Sequence, residues 1–136
     1  MPLSKDDLLG AWSLEEWYIE SDDGGRSHPM GRDAEGVIMY TGDGYMSAIV
    51  HARNRRLPAD RPSDTERLGA FASYVNYAGR WDVDGDAVIH TVEHALNPNM
   101  QGHTITRTVD HAGTRMTFTG ATPGSPGAHV IVWKRS

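Results

Sequence analysis

Apolar and polar residues alternate in short runs along most of this chain. A period of two is the mark of a strand with one buried face. Residues 12–20, 36–41, 45–51, 80–84, 86–95, 102–110, 114–120 and 128–135 all read this way. Between them stand turn formers: Thr41-Gly42-Asp43-Gly44, Asp84-Gly85, Asn97-Pro98-Asn99, His111-Ala112-Gly113 and the Pro/Gly-rich stretch 122–127. Two places break the alternation. Ser4 followed by Asp7 reads as the start of a short helical turn that Gly10 ends. Ser63 with Glu66 forms a capping box, and Leu68, Phe71, Ala72 and Val75 then fall on one helix face before Gly79 stops the run.

The pattern predicts an all-β protein of eight sequential antiparallel strands, with one helix inserted between the third and fourth. Such a set removes its free edges by closing into an up-and-down barrel. A barrel of eight strands has room inside for one small ligand. The helix, isolated and short, is expected to plug or lid one end. No internal repeat or linker divides residues 1–136, which read as a single domain.

Composition narrows the function. Hydrophobic residues make up 38% and mean hydropathy is −0.51, and no apolar run is long enough to span a bilayer. The start, MPLSKDDLLGAW, lacks the apolar core of a secretory signal, and cysteine is absent, so the expectation is a cytoplasmic protein without thiol chemistry. A net charge of −5 argues against general nucleic-acid binding. The local cluster Arg53, Arg55, Arg56 and Arg61 reads either as a solvated loop or as an anion-attracting rim.

Gly10-Ala11-Trp12 at the entry to the first strand resembles the G-x-W of lipocalins. GVIMYTGDGYMSA, YAGRWDVDGDAVIH, LNPNMQG and the terminal IVWKR resemble the bacterial lipocalin-like domain family over almost the whole chain. The resemblance implies a single small barrel with a central cavity. It also implies that Trp12 packs across the closed barrel end beside a basic residue from Trp133-Lys134-Arg135. Some similar barrels serve as cyclases or isomerases in natural-product pathways.

Candidate chemistry concentrates in residues 87–109. If Ala95 lies opposite Gly102, then His94 faces His103, Val92 faces Ile105 and His90 faces Arg107. A guanidinium on an otherwise aliphatic interior face needs a partner or a task. Imidazole can move a proton near neutral pH, and a fixed guanidinium can hold a carboxylate or a developing oxyanion. Alternatively, an interior carboxylate such as Glu16 satisfies Arg107, and a tyrosine satisfies His90. His90 and His94 cannot share a metal, since four strand residues span roughly 13 Å. His94 and His103 lack an evident third ligand, so no metal is expected. Tyr40 and Tyr45 flank a hairpin turn, where they would touch each other and assist proton transfer. Met39, Met46, Met100 and Met116 read mainly as core. No phosphate-cradling glycine loop or G-x-S-x-G elbow occurs.

The sequence thus points to a barrel that binds a small, largely apolar molecule bearing a carbonyl or carboxylate. Cofactor-free cyclisation, isomerisation or elimination would use His90, Arg107, Tyr45 and Tyr40. His94, His103, Trp12, Tyr18, Tyr77, Met46, Phe118 and Trp133 are expected to contact the ligand. The rival reading is a non-catalytic carrier or sequestering protein, and a third is a strand face that mediates association. Either a monomer or a homodimer is compatible with the pattern, with no nucleic acid or membrane as partner.

Overall fold

In the computed structural model, which describes residues 3–56, 60–122 and 125–136, most described residues from Gly10 onward belong to one antiparallel sheet. The strands are β1 (Gly10–Glu20), β2 (Arg26–Ser27), β3 (Glu35–Tyr40), β4 (Tyr45–His51), β5 (Tyr74–Asp84), β6 (Ala87–Ala95), β7 (Thr104–Ala112), β8 (Arg115–Thr122) and β9 (Ser125–Arg135). The helices are α1 (Lys5–Leu8) and α2 (Asp64–Ala72). Each strand from β3 to β9 pairs with the next, and β1 pairs with both β3 and β9. That last pairing closes an eight-stranded barrel, with the two-residue β2 as a flap on the end of β1. Residues 57–59 of the arginine-rich stretch and 123–124 of the Pro/Gly-rich stretch lie outside the described residues.

Alternation does what the sequence pattern requires. Ile38 and Tyr40, Met46, Ala48 and Val50, Val88, His90 and Val92, and Ile105, Arg107 and Val109 all turn inward and are buried. One end is sealed by α1: Leu8 and Trp12 are fully buried, and the Trp12 indole N–H donates to the Leu8 carbonyl at 3.0 Å. The Arg135 guanidinium lies 3.9 Å over the Trp12 ring, the basic partner from the last strand that the G-x-W resemblance implies.

Three departures from the sequence reading have physical causes. First, α2 stops at Ala72, and β5 begins at Tyr74 rather than at residue 80. Tyr74 to Gly79 pair continuously with β4, so a full hydrogen-bond ladder overrides the helical periodicity there. Second, α2 is no plug. None of its residues is buried, and Leu68 and Phe71 are exposed by 67% and 43%. Third, the β6–β7 register is shifted by two residues from the expected one. His90 pairs with Ile105 and Val88 with Arg107, because the hairpin closes at Val92, which accepts from the Gly102 N–H and donates to the His103 carbonyl.

Candidate functional site

The barrel holds an interior cavity of about 200 Å³ away from the sealed end. Ile38, Ala48, Val50 and Val75 supply one wall from β3, β4 and β5, and Ile105, Phe118, Ile131 and Trp133 face them from β7, β8 and β9. Met100, from the turn after β6, borders it as well. Three side chains with stronger polar groups interrupt this apolar lining: Tyr77, Arg107 and His129.

His90 stands behind that wall rather than on it. It is 1% exposed, and both ring nitrogens are engaged: Nε2 lies 2.6 Å from the Tyr40 hydroxyl and Nδ1 lies 2.7 Å from the Tyr77 hydroxyl. Burial, reinforced by the positive charge of Arg107, pushes its pKa down to about 3, so the ring is neutral. Burial likewise raises Tyr77 to about 12 and Tyr40 well above its ordinary value, so both phenols keep their protons. The result is a neutral Tyr40–His90–Tyr77 chain running from the deep core to the cavity wall. Gly79 makes the neighbouring strands fit. A Cβ there would sit 1.9 Å from the Thr91 carbonyl oxygen, so only glycine permits the close passage of β5 and β6.

Arg107 is buried, and burial lowers its pKa without removing the charge at neutral pH. Its Nη1 donates to the Ala121 carbonyl at 2.8 Å and the Thr106 carbonyl at 3.3 Å. The β8–β9 register shifts between Gly120 and Thr122, which leaves the Ala121 carbonyl available for this contact. Glu16 is not its partner: that carboxylate stands 3.3 Å from Nε2 of His28.

His129 is buried on β9, where the Trp17 indole N–H donates to its Nδ1 at 3.1 Å and the two rings stack. Burial, then Arg107, lowers its pKa. The neutral ring therefore carries its proton on Nε2.

The residues singled out in the sequence do not all meet at one site. Tyr77, Arg107, Phe118 and Trp133 line the cavity, while Tyr40, Met46 and His90 are buried beside or beneath it. Trp12 belongs to the sealed end and has no place on the cavity wall. Tyr45 is 43% exposed on the outer surface, where its hydroxyl accepts from Arg80 at 2.8 Å, so it does not meet Tyr40. Strand parity explains this, since Tyr45 precedes the inward Met46.

Two β-bulges displace Tyr18 and His94. β1 shifts register between Leu14 and Glu16, so Trp17 and Ile19 take the inner face. Tyr18 is left on the outer face under the Arg26 guanidinium, at 4.3 Å. β6 shifts between Val92 and His94, which pair with Gly79 and Ala78. Ala78 is the outward neighbour of Tyr77, so His94 points outward too. His94 and His103 are both exposed and form no interior pair. Among the described residues, no cluster of three His, Asp or Glu side chains is disposed to hold a metal ion.

Trp17 and His129 are cavity residues that the sequence reading passed over. The doublet Glu15-Glu16 signals the bulge, because two adjacent acids cannot both alternate with core positions. His129 was legible by parity alone, two and four residues before Ile131 and Trp133 on the same face.

A G-x-W tryptophan under an arginine thus seals one end of a closed barrel. The lipocalin-like domain model matches residues 9–136. The chain belongs to the lipocalin-like domain family. No curated protein matches this lipocalin-like chain. Among solved structures, a lipocalin-like protein from Bacteroides uniformis ATCC 8492 is similar at 14% identity and a TM-score of 0.54, covering 96% of this chain and 99% of that one. An uncharacterised protein from Bacteroides eggerthii DSM 20697 is similar at 13% identity and a TM-score of 0.50, covering 93% and 98%. These likenesses concern the lipocalin-like fold, which is a ligand-binding one. No helix among the described residues is long and apolar enough to cross a membrane.

Proposed function

We propose that this lipocalin-like barrel binds a compact, largely apolar small molecule whose polar end is a hydrogen-bond acceptor, a carbonyl or a carboxylate. One observation carries the reading. The polar side chains that interrupt the apolar lining can all act as donors, and among the described residues no carboxylate lines the cavity. A protonated ligand amine would place a second positive charge beside the buried Arg107 guanidinium, whereas a carboxylate or a polarised carbonyl complements that charge. The cavity, about 200 Å³, is somewhat larger than a 150 Å³ engineered cavity that admits benzene, so it suits a single substituted ring or a short branched chain.

Binding without turnover is the reading the geometry favours. His90, the imidazole the sequence offered as proton-transfer group, has no cavity face and a pKa of about 3. A proton-transfer group works best with a pKa near the operating pH. A catalytic reading, with cyclisation, isomerisation or elimination of a carbonyl compound, draws its support from His129 and Arg107, an imidazole and a guanidinium on the same cavity wall. In that case Arg107 would stabilise an enolate and His129 would carry the proton.

Native mass spectrometry of the purified protein, followed by incubation with whatever co-purifies, separates the readings. A carrier releases an acceptor-bearing molecule and returns it unaltered. A changed product whose formation is lost in His129→Phe would establish the catalytic reading. A bound cationic amine would overturn both.

A further inference from the structure

Proton counting along the Tyr40–His90–Tyr77 chain leads beyond the presence of donors to their direction. The chain has two hydroxyls and one neutral imidazole, hence three exchangeable protons for two internal hydrogen bonds. One proton must point outward from one end. At the Tyr40 end the residue is buried against the Trp81 ring, and among the described residues His90 is the hydroxyl's one hydrogen-bond partner. An outward proton there would be a buried donor without an acceptor, which is among the costlier defects in a protein interior. At the Tyr77 end the residue lines the cavity, where a ligand or water can accept.

We infer that Tyr40 donates to Nε2 of His90, that Nδ1–H donates to Tyr77, and that the Tyr77 hydroxyl proton is therefore fixed toward the cavity as the donor that selects an acceptor-bearing ligand. Tyr40 and His90 are positioning residues in this scheme. They touch no ligand, yet they set which way round the cavity hydroxyl is presented. The opposite tautomer would turn the Tyr77 proton onto Nδ1 and offer the ligand only a lone pair.

This inference rests on the reading of the cavity as an acceptor-binding site, and the two can fail separately. Two-bond ¹H–¹⁵N correlation spectra of the uniformly labelled full chain report which His90 nitrogen carries hydrogen. The expected result is protonated Nδ1 and unprotonated Nε2. Protonated Nε2 overturns the inference whatever the protein binds. The second arm titrates 4-ethylbenzoate and its uncharged apolar counterpart 4-ethyltoluene into wild type and Tyr40→Phe. Loss of the Tyr40 proton releases the tautomer, so the variant should show averaged ring-nitrogen shifts and bind the benzoate several-fold more weakly, with ethyltoluene unaffected. Equal benzoate affinity, or an unchanged tautomer in the variant, contradicts the inference. If wild type binds no benzoate while Nδ1 is protonated, the binding reading falls and the tautomer assignment stands. Should Tyr40→Phe not fold, the wild-type spectrum decides alone.

Discussion

The hydroxyl of Tyr77, on the cavity wall, lies 2.7 Å from Nδ1 of His90, a ring that is itself 1% exposed. The polar end of the cavity is thereby tied to a neutral imidazole in the core, and the consequences extend to stability as well as to binding.

The first concerns pH. His90 has a pKa of about 3 in the folded chain, against about 6.5 unfolded. Between those values the unfolded chain binds the extra proton, so acidification favours unfolding. The stabilisation from this group is complete above about pH 6.5. It declines as pH falls toward 3, by up to about 1.4 kcal/mol per pH unit. Urea unfolding between pH 5 and 6.5, a window chosen above the ordinary carboxylate range, should give a slope that is clearly shallower in His90→Gln. His129 adds a slope of the same sign that both proteins share. Identical slopes would show that His90 is not the buried neutral ring described.

The second concerns strand packing at Gly79. A Cβ placed 1.9 Å from the Thr91 carbonyl cannot be accommodated without moving backbone. Gly79→Ala should destabilise by about 3 kcal/mol or more, measured by chemical denaturation. Gly85→Ala is the control. Its φ of +60° is strained for alanine but nothing lies within 4 Å, so the cost there should be about 1 kcal/mol.

The third concerns α2. With Leu68 exposed by 67%, Leu68→Gln should change stability by no more than about 0.5 kcal/mol. A loss of 2 kcal/mol or more would mean that the helix plugs the barrel after all.

These outcomes also mark what the sequence could convey. Closure, strand number and the inserted helix were legible because alternation and turn residues are local signals, and each local choice agreed with the barrel. The interior placement of His90 and Arg107 followed from parity. Their mutual register did not, because the hairpin closes at Val92 and lets Glu93 to Ala95 turn away toward β5. Tyr18 and His94 take the face opposite to the one strict alternation predicts for one shared reason: a bulge inserts one residue and inverts every side chain beyond it. The Tyr40–His90–Tyr77 chain joins three strands, so no local spacing could announce it.

The fourth prediction tests the charge in the cavity. Arg107→Met removes the buried guanidinium and takes its donor from the Thr106 and Ala121 carbonyls, which should cost about 1–3 kcal/mol of stability while the fold is kept. Carboxylate affinity, in contrast, should fall by about tenfold or more, since a charge-assisted hydrogen bond contributes about 1.5–3 kcal/mol. Calorimetric titration of 4-ethylbenzoate into both proteins, alongside thermal unfolding, reads the two effects separately.

The donor-lined cavity itself is tested most directly by titrating wild type with two probes of matched shape and opposite polarity, 4-ethylbenzoate and 4-ethylbenzylamine, observing the Tyr77, Phe118 and Trp133 ring signals by NMR. Saturable shifts of those rings with the carboxylate and none with the amine are the predicted result. Equal or tighter binding of the amine would contradict it.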